Sequence, residues 1–184
     1  TFALALGAHR MAARRAVVRR LSVVESLGSV DTICTDKTGT LTQNAMAVQG
    51  LFASGQLVAV PKGGVSGEGI EELLRAGVLC SEATDGDGLK DEILGDPVDT
   101  ALYRAAQLAG LDIARERASY PKVSEIPFSS ERKMMTTVHR HDGGLLAYAK
   151  GAPGTILAHC TSCWYEGRLL ALADEHCQAV DETV

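Results

Sequence analysis

The chain is poor in aromatic residues and contains no long apolar run. Aromatic side chains make up 4% of its 184 residues. No apolar run approaches the roughly 20 residues that a helix needs to cross a bilayer, and the run at residues 2–6 is shorter than the core of a signal peptide. These absences predict that the 184 residues contain no complete membrane span.

Cysteine, positive charge and repeats are also scarce. The five cysteines are an odd number and lie far apart, which is untypical of a disulfide framework and favours a reducing compartment. The 18 Lys and Arg against 23 Asp and Glu give a net charge of -5, which argues against nucleic acid as a partner. The sequence has neither a GxxxxGKT phosphate loop nor an internal repeat. The remaining class is a globular protein, and its length predicts one domain or slightly more.

Charge is unevenly distributed along the chain. Residues 1–25 carry five Arg and one Glu, whereas the remainder carries 13 basic and 22 acidic residues. An apolar start that runs into an Arg-rich helix, predicted over 8–21, resembles the cytoplasmic end of a membrane helix. The alternative is an ordinary amphipathic surface helix.

The next segment predicts a buried strand that ends at a polar loop. The β-branched run Ser29–Thr35 is typical of such a strand, and the loop DKTGTLTQN follows it directly. This order places Asp36 at the carboxyl end of a strand, where open α/β sheets commonly bind ligands. A carboxylate beside Lys37 and the amides around Gly39 can attack a phosphoryl group, with Mg²⁺ bridging carboxylate and phosphate. The alternative is that Asp36 only caps the loop.

The pattern after residue 45 predicts antiparallel strands and helices. Asp96 is a predicted N-cap, with Pro97 at the first helical position and Gly110 at the helix end. The other predicted elements are a hairpin over 46–51 and 56–60, a helix over 70–80, a polar loop over 82–90, strands over 122–128, 135–141 and 145–150, a short helix over 153–159, a strand near 168–170 and a helix from 174.

The motifs in these segments identify a family resemblance. DKTGTLT resembles the phosphorylation signature of P-type ATPases, the cation pumps of the haloacid-dehalogenase-like superfamily. GDPVDTAL, IPFSSERKMM and KGAP follow in the order and approximate spacing of that family's nucleotide-binding motifs. The resemblance covers nearly the whole chain and implies that it binds ATP and Mg²⁺.

The resemblance assigns roles in phosphorylation to three neighbouring residues. Asp36 would become phosphorylated, Thr38 would offer its carbonyl to Mg²⁺ and its side chain to phosphate, and Lys37 lies in the same loop. Related phosphatases carry a second Asp at the position of Thr38, where it activates water. Thr38 has no titratable group, so the resemblance implies a long-lived aspartyl-phosphate.

The resemblance also assigns the nucleotide-binding residues. Phe128 would stack on adenine, Lys133 and Lys150 would line the pocket, and Gly151 would permit close approach. Asp99 occupies a position where the family often has Glu, near the adenine amino group. The alternative for Phe128 is a core residue at a strand end, and for Asp99 a charge in the first turn of a helix.

The family fold implied is α/β, an antiparallel sheet flanked by helices plus the first strand of a phosphorylation domain. Residues 1–25 would be a cytoplasmic stalk helix, 26–45 the start of the phosphorylation domain, and 46–184 an incomplete nucleotide-binding domain. The rest of the same polypeptide would be the partner, in a multi-pass membrane protein that binds the transported cation elsewhere. We expect this fragment alone neither to hydrolyse ATP nor to transport.

Several alternatives stay open at this point. The motifs most resemble the calcium-pump-like branch, while magnesium, sodium/potassium and proton pumps remain alternatives, as do a soluble phosphatase and a stand-alone nucleotide-binding module. Ser130 and Gly154 stand where relatives usually carry Arg and Glu, which predicts weaker nucleotide binding. A zinc site is a further hypothesis, from the residues His159, Cys160, Cys163, His176 and Cys177.

Overall fold

A computed structural model describes residues 2–64, 67–86, 93–165 and 167–183, without the side chains of Leu21 and Glu68. The chain divides into two compact units, Thr1–Asn44 and Ala45–Val184. This division falls beside the boundary predicted at residue 45, and the identities of the predicted domains stay predictions. Part of the predicted loop over 82–90 lies outside the described residues.

The first unit contains two short helices where one was predicted. Helix α1 spans Phe2–Ala13 and α2 spans Leu21–Leu27. Arg15 adopts φ 63, and the Ala16 N–H donates to the Met11 carbonyl at 3.0 Å, which closes α1 as a left-handed C-cap does. The single helix predicted over 8–21 is therefore wrong in this structure, and the identity of residues 1–25 as a stalk stays a prediction. A continuous helix would also place arginines four residues apart, where like charges repel.

The predicted strand Ser29–Thr35 does not form. Residues 31–36 have no regular secondary structure, and Val30 and Ile33 are 55% and 82% exposed. A strand needs a neighbouring strand to satisfy its backbone groups, and none is paired with this segment among the residues the structure describes. The prediction of a first parallel strand is therefore wrong here.

The second unit begins with a β-hairpin and two packed helices. Strands β1 (Leu51–Ala53) and β2 (Gln56–Val58) pair antiparallel, which confirms the predicted hairpin with shorter strands. Helices α3 (Glu68–Leu79) and α4 (Pro97–Leu108) confirm the two longer predicted helices. Their facing sides bury the core of the unit, which includes Leu74, Val78, Tyr103, Ala105 and Ala106.

The elements between and after these helices are short. Strands β3 (Thr84–Asp85) and β4 (Ile93–Leu94) pair antiparallel. Helix α5 (Ile113–Ser119), which the sequence did not predict, is attached to α3 because Arg75 Nε donates to Glu116 Oε2 at 2.6 Å.

The central sheet is the predicted antiparallel meander. It has the order β5 (Lys122–Ser129), β6 (Met134–His141), β7 (Gly144–Gly151). The turn between β6 and β7 is at Asp142 and Gly143, with φ 46 and 76. The central strand buries alternate residues on one of its faces, because a strand directs every second side chain to the same face. These residues are Met135, Thr137 and His139.

The chain ends in a small helix–hairpin–helix arrangement. Helix α6 spans Pro153–Leu157, strands β8 (Ser162–Tyr165) and β9 (Arg168–Ala171) pair antiparallel, and α7 spans Asp174–Thr183. The α/β class with antiparallel sheets is confirmed. Across the described ranges, every helix is too short or too polar for a bilayer span.

Candidate functional site

A cavity of about 660 Å³ opens where the start of α4 meets the ends of β5 and β7. Small-molecule sites commonly have volumes of this order. The residues that line it are Asp96, Val98, Asp99, Leu102, Phe128, Lys133, Met135, Lys150, Gly151 and Ala152. All five residues predicted to bind nucleotide, which come from separate segments of the sequence, thus lie around a single cavity.

Phe128 presents an open aromatic face to this cavity. The residue is 62% exposed although it stands near the end of a strand. The alternative prediction, a core phenylalanine, is therefore wrong. An exposed ring beside a cavity can stack on a planar ligand.

Asp99 and Lys150 form an ion pair in the wall of the cavity. Lys150 Nζ donates to Asp99 Oδ1, and the Glu82 backbone N–H donates to Asp99 Oδ2 at 2.8 Å. The Asp99 side chain is 2% exposed and that of Lys150 is 24% exposed. The buried carboxylate is thus neutralised by a neighbouring cation, as a charge removed from water requires.

The second lysine is held by its backbone. Lys133 adopts φ 52 in the turn between β5 and β6, and its N–H donates to the Ser129 carbonyl at 2.7 Å. Its own carbonyl accepts the Ala152 N–H at 3.0 Å, which connects this turn to the end of β7. The exposed Lys133 side chain therefore starts from a fixed backbone position beside the cavity.

Gly151 is required by the neighbouring strand. A Cβ at this position would lie 2.6 Å and 2.7 Å from the Cβ and Cα of Met134, and closer still to the Lys133 carbonyl oxygen. Real Cβ atoms do not approach backbone this closely. In this structure, Gly151 therefore permits the close approach of strands β6 and β7 to each other.

The apolar lining of the cavity was missed by the sequence analysis. Val98 and Leu102 lie four residues apart on α4, and Met135 is 6% exposed on β6. The spacing of Val98 and Leu102 places them on one face of the helix, and this signal could have found them. Near Met135, the fully buried Cys80 donates its Sγ–H to the Met135 carbonyl at 3.7 Å, and burial raises the pKa of its thiol.

The segment DKTGTLT, which resembles a phosphorylation signature, lies in the first unit. The segment Lys37–Leu41 is one wide turn with Gly39 at φ 74, closed by the Thr42 N–H donating to the Lys37 carbonyl at 3.1 Å. Asp36 precedes the turn, is exposed, and makes no capping hydrogen bond to it. The alternative in which Asp36 only caps this loop is therefore not supported.

The zinc hypothesis receives no support from the structure. Among the described residues there is no group of three or more His, Cys, Asp or Glu that could hold a metal ion. His159 Nδ1 lies 2.8 Å from the Thr155 carbonyl, and His176 Nδ1 accepts the Ala173 N–H at 3.1 Å. Both imidazoles are engaged locally instead.

Comparison with known proteins identifies the family. The family model described as "P-type ATPase, cytoplasmic domain N" matches residues 69–184. A calcium-transporting ATPase of Listeria monocytogenes is 35% identical over 100% of this chain and 21% of its own length. A cation-transporting ATPase of Synechocystis is 36% identical over 88% of this chain and 20% of its own. The sodium/potassium-transporting ATPase α subunit of Drosophila melanogaster is 35% identical over 95% of this chain and 18% of its own.

The chain belongs to the P-type ATPase family. It spans about a fifth of the length of the curated relatives it matches. The family model covers the segments that line the cavity, and the full match to the Listeria protein includes the segment with Asp36.

Proposed function

We propose that the cavity binds ATP, and that the full-length protein is a membrane pump that transfers the γ-phosphoryl group to Asp36 while it transports a cation. The observation that carries the proposal is the convergence of Asp99, Phe128, Lys133, Lys150 and Gly151 on one cavity. Membership of the P-type ATPase family also supports it.

Each cavity residue has a chemical role in this proposal. The exposed ring of Phe128 stacks on the base, a contact worth roughly 1–3 kcal/mol. The ammonium groups of Lys133 and Lys150 attract the phosphates. Gly151 keeps β6 and β7 close enough for both lysines to share the cavity.

Asp36 is the proposed phosphoryl acceptor. Its carboxylate oxygen forms a bond to the γ-phosphorus, the bond from that phosphorus to the bridging oxygen breaks, and ADP leaves with the electron pair. The Asp36 carboxylate and the Thr38 carbonyl are hard oxygen ligands of the kind that Mg²⁺ takes together with phosphate and water. Magnesium, when bound there, would neutralise phosphoryl charge. Lys37 adds a further positive charge in the same loop.

Calcium is the proposed cargo. Calcium-transporting ATPases of Listeria monocytogenes and Schizosaccharomyces pombe are 35% and 38% identical to this chain. The sodium/potassium relative is as similar, at 35%, so sodium/potassium transport is the second candidate, with magnesium and proton pumping or a stand-alone nucleotide-binding module behind it. In the proposed protein this segment faces the cytoplasm and its partner is the rest of the polypeptide. We expect the 184-residue chain alone to be inactive.

Calorimetric titration of the 184-residue chain with MgATP tests the proposal. Phe128→Ala and Lys150→Ala should each weaken binding about tenfold, which corresponds to 1.4 kcal/mol. Phe2→Ala removes another exposed phenylalanine, and Lys122→Ala a lysine of β5, both outside the cavity lining. These controls should bind as the wild type does. Equal effects of the cavity and control variants, or no binding by the folded wild type, would contradict the proposal.

A further inference from the structure

Arg117 is a cation that the fold uses on backbone carbonyls. It lies half-buried on α5, and its Nη2 donates to the Val78 carbonyl at 3.3 Å and to the Ala83 carbonyl at 2.7 Å. Its guanidinium carbon lies 5.4 Å from the centre of the Tyr103 ring, within the range of a cation–π contact. Among the residues that the structure describes, no carboxylate forms an ion pair with it. The guanidinium therefore binds neutral groups of the fold.

The two carbonyls mark the ends of one short segment, residues 78–83. Val78 lies in the last turn of α3, where carbonyls lack partners within the helix and a positive charge is favourable. Ala83 lies beyond the end of that helix. Between them, the Ser81 hydroxyl oxygen accepts the Ala83 N–H at 3.1 Å. One nitrogen of Arg117 thus fixes both ends of the chain that leaves α3.

The same segment donates a hydrogen bond to the wall of the cavity. The Glu82 N–H donates to Asp99 Oδ2 at 2.8 Å, and Asp99 Oδ1 accepts from Lys150. Asp99 and Lys150 line the cavity, whereas Arg117 does not. Because Ala83 follows Glu82 directly, the contact of Arg117 with Ala83 also fixes the peptide group that bonds to Asp99.

The start of α4 packs on this segment as well. Gly95 directly precedes the N-cap Asp96, and a Cβ at Gly95 would lie 3.0 Å from the Cα of Ala83 and 3.2 Å from its Cβ. Ala83 is fully buried. Since Asp96 and Asp99 both lie in the cavity lining, residues 78–83 support the cavity wall through a hydrogen bond and through the start of α4.

We propose that Arg117 is a positioning residue of the nucleotide site, although it lies outside the cavity. By holding residues 78–83, it keeps the Glu82 N–H directed at Asp99. An ion pair that is already in place costs less to order when the nucleotide binds. The inference rests on the proposed nucleotide site. If Arg117 only capped α3, it would stabilise the fold and leave the affinity for ATP unchanged.

Calorimetric titration with MgATP gives the first test. Arg117→Ala should weaken binding about fivefold, within the range found for residues that couple to a site without touching its ligand. Arg115→Ala removes an exposed arginine of the same helix and should bind within about twofold of the wild type. Arg117→Lys keeps a cation with donors for both carbonyls, and should also bind within about twofold of the wild type.

Amide hydrogen exchange, read by NMR, separates positioning from a general loss of stability. In Arg117→Ala the Glu82 amide should exchange about fivefold faster relative to the amides of β6. Equal acceleration of Glu82 and β6 would reflect lost global stability and would overturn the inference. Wild-type ATP affinity in Arg117→Ala would also overturn it, and would leave the proposed function standing. Absence of ATP binding by the folded wild type would overturn both.

A measurement on the wild-type chain does not depend on the folding of any variant. Coupling between two sites is reciprocal, so saturating MgATP should slow the modification of Arg117 by phenylglyoxal about fivefold. Mass spectrometry of the modified chain gives the rate for each arginine, and Arg115 should be modified at the same rate with and without MgATP. No effect of MgATP on Arg117, or an equal effect on both arginines, would overturn the inference.

Discussion

Replacement of Gly151 by alanine should loosen the end of the central sheet and the cavity beside it. The new Cβ would lie 2.6 and 2.7 Å from the Cβ and Cα of Met134, and closer to the Lys133 carbonyl oxygen. Met134 is 9% exposed and pairs directly with Gly151 across the two strands. Two of the three atoms contacted belong to the backbone, so the clash is relieved only if the strands separate.

The size of the effect follows from this geometry. Overpacking of a well-packed site typically lowers the free energy of unfolding by 1–3 kcal/mol. Because two of the contacted atoms belong to the backbone, we expect a loss of about 2 kcal/mol for Gly151→Ala. With a urea dependence of about 2 kcal/mol per M, the midpoint of unfolding should fall by about 1 M. Circular dichroism in a urea titration measures this shift directly.

Gly154→Ala is the matched control in the same KGAPG segment. Nothing lies within 4 Å of a Cβ at Gly154, and the residue is in helix α6. Alanine there should be neutral or stabilise the fold by up to about 1 kcal/mol, through helix propensity and a less flexible unfolded chain. Equal midpoints for the two variants would refute the reasoning, because both changes are chemically identical and only the surroundings differ.

Three further predictions concern Arg75, Cys80 and Tyr148. Arg75→Ala removes the 2.6 Å contact with Glu116 that joins α3 to α5. The free energy of unfolding, measured in urea, should fall by about 3 kcal/mol, because a partly buried carboxylate is left without its cation. A fall of less than about 0.5 kcal/mol would contradict this. Cys80 should not react with a thiol reagent until the chain unfolds, whereas the exposed Cys34 and Cys160 react at once, because burial raises the pKa of the Cys80 thiol. Burial raises the pKa of Tyr148 from the ordinary 10.0 to about 12. Its neutral form therefore supports the fold fully below pH 10, and that stability declines as pH rises through 12. A phenolate absorbance titration of the wild type should show this late step, and the step should be absent from the Tyr148→Phe control.

The parts of the fold that the sequence predicted are those with strong local signals. Helix α4 has an N-cap, a first-position proline and a terminal glycine in the expected places, and Asp96 accepts two backbone N–H groups at its start. The meander β5 to β7 follows the three predicted strand segments, and Asp142 and Gly143 form the turn between the last two. Local chemistry decides these elements, so no knowledge of distant contacts was needed.

The elements that were wrong or missed depend on contacts the sequence pattern does not contain. The strand Ser29–Thr35 has the right composition but is paired with no strand in the described part of the chain. Helix α5 has only seven residues and is held to α3 through Arg75, a contact across 41 positions. A pattern confined to a short window cannot predict either outcome.

The candidate site, like the fold, has features that the sequence predicted and features that depend on distant contacts. Five of its residues were predicted by resemblance, and they lie around one cavity in the structure. The pairing of Asp99 with Lys150, 51 residues apart, and the contact that requires Gly151 became visible only in three dimensions. The role expected for Asp99 beside the base stays a prediction.

The central claim is that the cavity between α4 and the ends of β5 and β7 is where ATP binds. A two-dimensional amide NMR titration of the 184-residue chain with magnesium and a non-hydrolysable ATP analogue tests it most directly. We predict saturable shifts centred on Asp99, Phe128, Gly151 and Ala152. Saturable shifts centred instead on the apolar cavity beside Trp164, or no saturable shifts by the folded chain, would contradict the account.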